Sequence, residues 1–367
     1  MKTLIPKELQ NLVFDCASIP IFAAASIDHV QAHGLLPRRL RLLQIWGASF
    51  VKNQILKFLG YICMIVFAAA LQAQEHFIFS PEQIESHLVS YNEQEKEDIA
   101  KDLAVVRSVC RVKEAPSKEK PFYLASAGGP GARKSTILER FIQRNPEFQS
   151  GVYLDPDHRG LKFMPHTYYN HSLNALMAAS NPDYLEVQKA AFEKWRGASN
   201  YITLTLLKET LQKKSDIIHG TTLTGDHVAE FLKKLKAEGY QITLVLCYCP
   251  DQMRKEAVEY RNNEQRFYQS TPEEEVSKGK TFVEKMSVYF EHADTLYLYW
   301  SDDLLAEERN AAIFDKGKLI VNEGCDCTLG RFIIQYEEDR KILLAEGKMI
   351  PAWDDLFVLY LVRFLNL

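Results

Sequence analysis

Residues 122–138 read Phe-Tyr-Leu-Ala-Ser-Ala-Gly-Gly-Pro-Gly-Ala-Arg-Lys-Ser-Thr-Ile-Leu. A short apolar run, a glycine-rich turn and the beginning of a helix follow one another here, which is the order in which a chain builds a cradle for phosphate groups. Glycines allow consecutive backbone N–H groups to converge on a polyphosphate, and the N-terminus of the helix adds the positive end of its dipole. The stretch therefore predicts a phosphate-binding loop between a strand and a helix.

Individual positions of this loop have distinct expected roles. Lys134 is placed to reach the outer phosphates of a nucleotide, and Ser135 is placed to ligate Mg²⁺. The pattern G-x-x-x-x-G-K-[ST] requires glycine before the lysine, but this chain has Arg133 there. The larger side chain either clashes with phosphate or swings outward and adds positive charge near the nucleotide. The predicted nucleotide-binding residues are Gly128, Gly129, Gly131, Ala132, Arg133, Lys134, Ser135 and Thr136.

Composition limits the class of protein. The chain has 367 residues, of which 47% are apolar, enough for one sizeable core with additional segments. A net charge of −4 gives no basic surface of the kind that binds DNA or RNA, so we expect no nucleic-acid partner. Seven cysteines are few and odd in number, which favours a reducing compartment over a disulfide framework. The pairs Cys247/Cys249 and Cys325/Cys327 leave a zinc site as an alternative to buried small side chains.

The N-terminal region differs from the rest of the chain. Residues 58–71 are uninterruptedly apolar, which is too short for a comfortable membrane span of about 20 residues. Residues 51–73 instead run from lysines through an apolar core to small residues, the order of an export signal. One hypothesis is therefore that the natural start lies near Val51. The alternative is a helical hairpin at residues 1–79 that packs on the main domain or on a membrane surface.

Strand and helix signals alternate from residue 120 onward. We expect strands near 122–125, 151–154, 216–219, 241–247 and 295–300, with helices between them. This alternation predicts an α/β fold, with a mostly parallel sheet of about five strands and helices on both faces. The predicted domains are an apolar extension at 1–79, a helical lead-in and linker at 80–118, a P-loop α/β domain at 119–301 and a C-terminal α/β extension at 302–367.

Three further groups of residues fall at the expected carboxyl edge of this sheet, where ligands bind in such folds. Asp157 follows the second strand and could deprotonate an acceptor hydroxyl or hold Mg²⁺ through water, although a proline-centred turn capped by Asp155 is an equal alternative. His219 and Thr221 follow the third strand. Of the arginines after the fourth strand, Arg261 and Arg266 suit a mobile lid over phosphate, whereas Arg254 better fits a solvated helix face.

The order of these features resembles the zeta-toxin family of P-loop kinases over about residues 120–300. The matching pieces are the loop at 127–136, Leu-Asp-Pro-Asp-His-Arg at 154–159 with Pro165 after it, Gly-Ala-Ser at 197–199, Ile-Ile-His-Gly-Thr at 217–221, Glu-Gly-Tyr at 238–240, Arg261, Arg266 and Ala-Asp at 293–294. Their sequence order is more specific than the loop alone.

The resemblance implies a Mg²⁺-dependent transfer of the γ-phosphoryl group of ATP or GTP to a small acceptor. By that resemblance Lys134 binds the β- and γ-phosphates, Asp157 is the catalytic base, and Arg261 and Arg266 steady the transferred group. The implied acceptor is a nucleotide sugar such as UDP-N-acetylglucosamine, phosphorylated at its 3′ hydroxyl. The family's acidic residue in the third strand is replaced by His219 here, which leaves the identity of the acceptor open.

Further site residues and partners complete the expectation. Arg159, Thr221 and His219 are the predicted substrate-binding residues, and residues 165–196 are expected to build the acceptor pocket. Within that segment, Tyr168 and His171 either contact the ring of the acceptor or pack in the core, and core packing is at least an equal alternative. The resemblance also leaves room for a protein antitoxin as partner and for a cytoplasmic site of action, with export as the alternative. Two other functions stay open: a nucleotide-binding protein that acts through a partner without transfer activity, and a kinase of another small molecule such as an antibiotic or a nucleoside.

Overall fold

The computed structural model describes residues 79–180, 183–264, 267–268, 272–303 and 307–365, and these belong to one compact unit. The predictions for residues 1–78, including the export signal, and for Arg266 lie outside the described residues. Within the described ranges, no helix is long and apolar enough to cross a membrane. The bounds of the four predicted domains stay predictions.

A seven-stranded sheet forms the centre of the molecule, in the order β2-β3-β1-β4-β5-β6-β7. The first five strands run parallel, and β6 and β7 are added antiparallel at one edge. The strands are β1 (Phe122–Ala127), β2 (Val152–Leu154), β3 (Ile217–His219), β4 (Gln241–Tyr248), β5 (Thr295–Trp300), β6 (Arg309–Asp315) and β7 (Lys318–Val321). The α/β fold with a mostly parallel sheet is therefore confirmed.

The sheet has two more strands than the predicted number of about five, and the additional strands are the antiparallel β6 and β7. β6 and β7 form a hairpin whose turn residues, Lys316 and Gly317, have φ angles of +46° and +76°. Positive φ at both central positions is the geometry of the tight turn that matches the twist of paired strands. Sequence analysis missed this hairpin because β7 is largely exposed and carries no long apolar run.

Helices cover the sheet. They are α1 (Pro81–Glu85), α2 (Glu93–Val109), α3 (Lys134–Arg144), α4 (Asn170–Ala178), α5 (Tyr184–Gln212), α6 (Val228–Ala237), α7 (Asp251–Asn263), α8 (Pro272–Glu284), α9 (Met286–His292), α10 (Asp326–Ala345) and α11 (Trp353–Leu365). The long helix α5 begins at Tyr184 because Asp183 caps it: one carboxylate oxygen accepts from the N–H groups of Leu185 and Glu186 at 2.9 and 3.3 Å.

The core continues into the C-terminal region. Phe332 and Tyr336 of α10 and Trp353 and Tyr360 of α11 are buried in the same hydrophobic cluster as Leu244 and neighbouring sheet residues. Residues 309–365 therefore share the core of the kinase-like part instead of forming a separate one.

The two Cys-x-Cys pairs lie in different environments. Cys247 and Cys249 are buried at the end of β4, as expected for small apolar side chains, whereas Cys327 is exposed. Among the described residues, no group of three or more His, Cys, Asp or Glu side chains is arranged to hold a metal ion.

Candidate active site

The loop between β1 and α3 has the conformation that its glycines allow. Gly128 and Gly131 have φ angles of +153° and +79°, and the N–H of Gly128 donates to the carbonyl of Thr222 at 3.2 Å. A Cβ atom on Gly131 would collide with the backbone carbonyl of Arg254, and one on Gly128 would collide with that of Cys247. Both positions therefore need glycine on conformational and on steric grounds.

Arg133, at the position where the pattern has glycine, adopts a backbone conformation that glycine favours. Its φ and ψ angles are 55° and 22°, in the left-handed region, and it immediately precedes the first residue of α3. Its side chain, only 10% exposed, points to the segment before β6: Nη1 donates to the carbonyl of Asp303 at 3.2 Å, and Nη2 lies 3.7 Å from Oε2 of Glu308. The sequence left two alternatives open, a clash with phosphate or an outward direction. The structure shows the second, because the side chain is directed to Glu308 and Asp303.

Lys134 is the first residue of α3, and its side chain folds back to the phosphate-binding loop. Its Nζ donates to the carbonyl of Gly129 at 2.8 Å. Burial, assisted by the positive charges of Arg261 and Lys278, lowers the pKa of Lys134 to about 8. An ammonium group with this environment gains from a bound anion, because phosphate would replace the water that burial removes. Ser135 and Thr136 occupy the first turn of α3 beside it, and Ala132 is buried beneath the loop.

A cavity of about 640 Å³ opens beside the loop. Its walls come from the loop and α3, from the turn after β2, from α5, from the segment after β3 and from α7 and α8. The lining residues with charged or titratable side chains are Arg133, Lys134, Asp155, Asp157, His158, Arg196, His219, His227, Tyr260, Arg261, Lys278 and His87. Cationic side chains outnumber carboxylates in this set, which suits an anionic ligand.

The turn after β2 presents two aspartates to this cavity in different ways. Asp155 is 4% exposed, and its Oδ1 accepts from the N–H groups of Asp157 and His158, both at 2.8 Å. The capped turn is therefore present as the sequence allowed. Burial raises the pKa of Asp155, with opposing contributions from His158 and Arg196. Asp157, two residues further along the turn, forms an ion pair with Arg196 of α5.

Three predicted substrate-binding residues have different surroundings. Thr221 and His219 line the cavity. His219 Nδ1 lies 2.8 Å from the buried hydroxyl of Tyr123, and burial lowers the pKa of His219 to about 4, so its ring is neutral at pH 7. Arg159 instead lies over the ring of Tyr153, with its guanidinium carbon 4.8 Å from the ring centroid, and does not line this cavity.

The two arginines of α7, Arg254 and Arg261, have different surroundings. Arg261 lines the cavity, and burial lowers its pKa to about 10, which leaves it charged at neutral pH. The prediction that Arg254 lies on a solvated face is wrong. Its side chain is 13% exposed, donates to the carbonyl of Glu275 at 3.1 Å, and packs against Gly129 and Gly279. The glycines there leave room for a guanidinium that braces α7 and α8 against the phosphate-binding loop.

Of the described residues in the predicted acceptor segment (165–180 and 183–196), only Arg196 lines the cavity. Tyr168 is buried and donates to Gln188, and His171 accepts from the Trp195 ring nitrogen, so these side chains pack within their own segment. The walls come instead from Arg196, Asn200, Thr203 and Leu204, which lie on one face of α5 at helical spacing. Their signal was the Gly-Ala-Ser piece at 197–199, since Ser199 donates to the carbonyl of Pro156 and so attaches α5 to the aspartate turn.

Tyr260 and Lys278 are among the other lining residues that the sequence analysis missed. They lie on α7 and α8, where the sequence shows charged residues on most faces and no periodicity that separates the cavity side from the solvent side.

The family model for Zeta toxin matches residues 107–295, which is more than half of the chain. This chain belongs to the zeta toxin family. It is accordingly a P-loop phosphotransferase, as its sheet and its glycine-rich loop indicate. No curated protein matches the sequence of this family member.

Several solved structures resemble this zeta toxin family member. A toxin of the PezAT chromosomal toxin–antitoxin system of Streptococcus pneumoniae is 18% identical, with 57% of this chain and 78% of that chain covered and a TM-score of 0.40. The AvrRxo1-ORF1:-ORF2 complex with ATP is 12% identical, with 77% and 94% covered and a TM-score of 0.47. A putative kinase from Chloroflexus aurantiacus is also 12% identical, with 43% and 75% covered and a TM-score of 0.27.

Proposed function

We propose that this protein transfers the γ-phosphoryl group of ATP, or of GTP, to a hydroxyl of a small acceptor, and that the acceptor is a nucleotide sugar such as UDP-N-acetylglucosamine. One observation carries the proposal: Lys134 of the phosphate-binding loop and the aspartates after β2 line the same cavity. Phosphoryl transfer needs little beyond positioning and charge stabilisation, and this cavity offers cations for phosphate beside carboxylates for a hydroxyl.

Each residue has a role in this proposal. Lys134 binds the β- and γ-phosphates, Arg261 steadies the transferred group, and Asp157 orients the acceptor hydroxyl and takes its proton. Arg196 holds Asp157 by their ion pair. Arg266 is proposed to act with Arg261. His219, neutral and held by Tyr123, and Thr221 contact the acceptor.

The donor set near the loop fits Mg²⁺. The hydroxyl of Ser135 and the carboxylates of Asp155 and Asp157 are hard oxygen ligands, and Mg²⁺ in kinase sites takes one or two carboxylates, several waters and the substrate phosphates. When bound, the ion neutralises charge on the phosphates. Ser135 is the residue that we propose as its ligand.

The test is formation of a phosphorylated acceptor from labelled ATP and UDP-N-acetylglucosamine in the presence of Mg²⁺. We expect Lys134→Ala to lower turnover by about 100-fold or more, because it removes the positive charge that stabilises the transferred phosphoryl group. Asp157→Asn removes the base and is expected to cost about 100-fold or more as well. Lys101→Ala, an exposed lysine paired with Asp98, is the matched control and should leave turnover unchanged.

Equal turnover of the wild type and the two site variants would contradict the proposal. A product with a nucleoside or an antibiotic, and none with the nucleotide sugar, would retain the kinase and reject the acceptor. Nucleotide binding without a product from any acceptor would favour the alternative of a binding protein that acts through a partner, in which Arg133 and His219 mark a decayed site.

We also propose a protein antitoxin as partner and the cytoplasm as the site of action. Family membership supports the first proposal. The need for ATP supports the second, because this nucleotide is abundant inside cells.

A further inference from the structure

A buried carboxylate lies at the back of the phosphate-binding loop. Glu308 immediately precedes β6, and its side chain has no exposed surface. Its Oε2 is 2.6 Å from Nη1 of Arg140 and 3.7 Å from Nη2 of Arg133, while Oε1 is 4.0 Å from Nη1 of Arg144. A carboxylate that is fully removed from water is strongly destabilising unless it is paired, so these arginines account for its position.

The contact with Arg133 differs from the other two. Arg140 and Arg144 lie within α3 in ordinary helical conformation and are 39% and 48% exposed at their side chains. Arg133 is 10% exposed and left-handed at φ 55°, at the loop position where the pattern G-x-x-x-x-G-K-[ST] has its second glycine. A residue with a side chain persists in that conformation only where its surroundings hold it.

We infer that Glu308 is a positioning residue for nucleotide binding: by holding the guanidinium of Arg133, it keeps residue 133 in the left-handed conformation that the phosphate-binding loop requires. The inference rests on the proposed function of this loop. Glu308 acts through Arg133 and, by the shared Oε2, through Arg140 of α3, the helix that follows Arg133. Arg133 and Glu308 thus act together: the glutamate holds the arginine, and the arginine keeps the loop in its conformation.

The test is the dissociation constant of MgATP, measured by calorimetry for Glu308→Gln in two backgrounds. With Arg133 present, we expect about tenfold weaker binding, because residue 133 leaves the left-handed region. With Arg133→Gly, the same change at Glu308 should have no further effect, because glycine keeps that conformation without assistance. Glu307→Gln is the matched control: this neighbouring carboxylate is 66% exposed, pairs with Arg144, and should leave the dissociation constant unchanged.

A second comparison does not depend on how well a protein changed at Glu308 folds. Arg133→Met retains a side chain at this position and removes its ion pair, so it should weaken MgATP binding as Glu308→Gln does, whereas Arg133→Gly should bind at least as tightly as the wild type. Equal dissociation constants for Arg133→Met and Arg133→Gly would overturn the inference.

The outcomes separate this inference from the proposed function. If Glu308→Gln weakens binding equally in both backgrounds, Glu308 supports the fold generally and the inference alone is overturned. If the wild-type protein and Arg133→Gly both fail to bind MgATP, the proposed function is overturned together with the inference.

Discussion

Arg133 shows how one residue can depart from a local pattern and still satisfy the geometry of that pattern. The left-handed conformation costs a residue with a Cβ roughly 1–2 kcal/mol relative to the right-handed one. In this protein the cost is offset by contacts of the side chain with Glu308 and with the carbonyl of Asp303. Both partners lie more than 160 residues away along the chain. No local pattern around residue 133 could therefore have predicted where its guanidinium goes.

Lys134 leads to a prediction of pH dependence. Its pKa of about 8 in the free protein means that the ammonium group is mostly charged at pH 7, half deprotonated at pH 8 and mostly neutral at pH 9. Bound phosphate favours the charged form, so binding takes up a proton at high pH and weakens as the pH rises. We expect the MgATP dissociation constant to be about tenfold higher at pH 9 than at pH 7.

The matched control for this measurement is Lys134→Arg, because arginine remains charged across the range. Its dissociation constant, whatever its absolute value, should be nearly constant between pH 7 and 9. Arg261, with a pKa of about 10, remains largely charged there, and burial keeps His158 neutral by lowering its pKa. If both proteins show the same decline, a group other than Lys134 titrates.

The candidate site was predictable where a side chain follows directly from a regular element. Lys134 is the first residue of α3, and His219 ends β3, so both could be assigned to the sheet edge in advance. Arg159 could not be, because it lies in an irregular turn whose backbone angles decide the side-chain direction. Arg254 was misassigned for another reason: its burial depends on Gly129 and Gly279, which belong to two other elements.

Among the elements, the junction of β2 and β3 sets the position of the aspartate turn. The two strands pair in parallel with Leu154 opposite His219, and the N–H of Gly220 donates to the carbonyl of Leu154 at 2.8 Å. A Cβ atom on Gly220 would collide with the carboxylate of Asp155. The absence of a side chain at Gly220 is therefore what allows Asp155 to cap the turn that carries Asp157.

Gly220→Ala should therefore damage both the fold and the site. We expect the free energy of unfolding to fall by about 1–3 kcal/mol from overpacking, and turnover to fall because the turn with Asp157 is displaced. Denaturant titration and the phosphoryl-transfer assay measure the two effects.

Gly330→Ala is the matched control. Gly330 lies inside α10, and a Cβ atom there would meet nothing within 4 Å. Alanine is the better helix former by about 1 kcal/mol, so this variant should be slightly more stable than the wild type and fully active. A Gly220→Ala protein as stable and active as Gly330→Ala would refute the steric argument for the β2–β3 junction.

Strands were predictable to the extent that they are buried. β1 and β4 are apolar over nearly their full length and were located from that pattern. β7 has three exposed residues out of four, and its pairing depends on the turn at Lys316 and Gly317. β7 pairs with β6 and extends the sheet at this edge. No apolar run in the sequence predicts such a strand.

Across the molecule, the parallel strands place their carboxyl ends at one edge, and the cavity opens there. The antiparallel strands and the C-terminal helices complete the core on the other side of β5, and the segment that joins them to β5 supplies Glu308. The C-terminal region thereby contributes to the phosphate-binding loop as well as to the core.

The central claim is that the loop with Arg133 in the glycine position binds a nucleoside triphosphate. Calorimetric titration of the wild-type protein with ATP and with GTP, each with Mg²⁺, tests it most directly. We predict saturable heat of binding with at least one of the two nucleotides, and its loss in Lys134→Ala. No heat with either nucleotide, or identical heat in the wild type and in Lys134→Ala, would contradict the account.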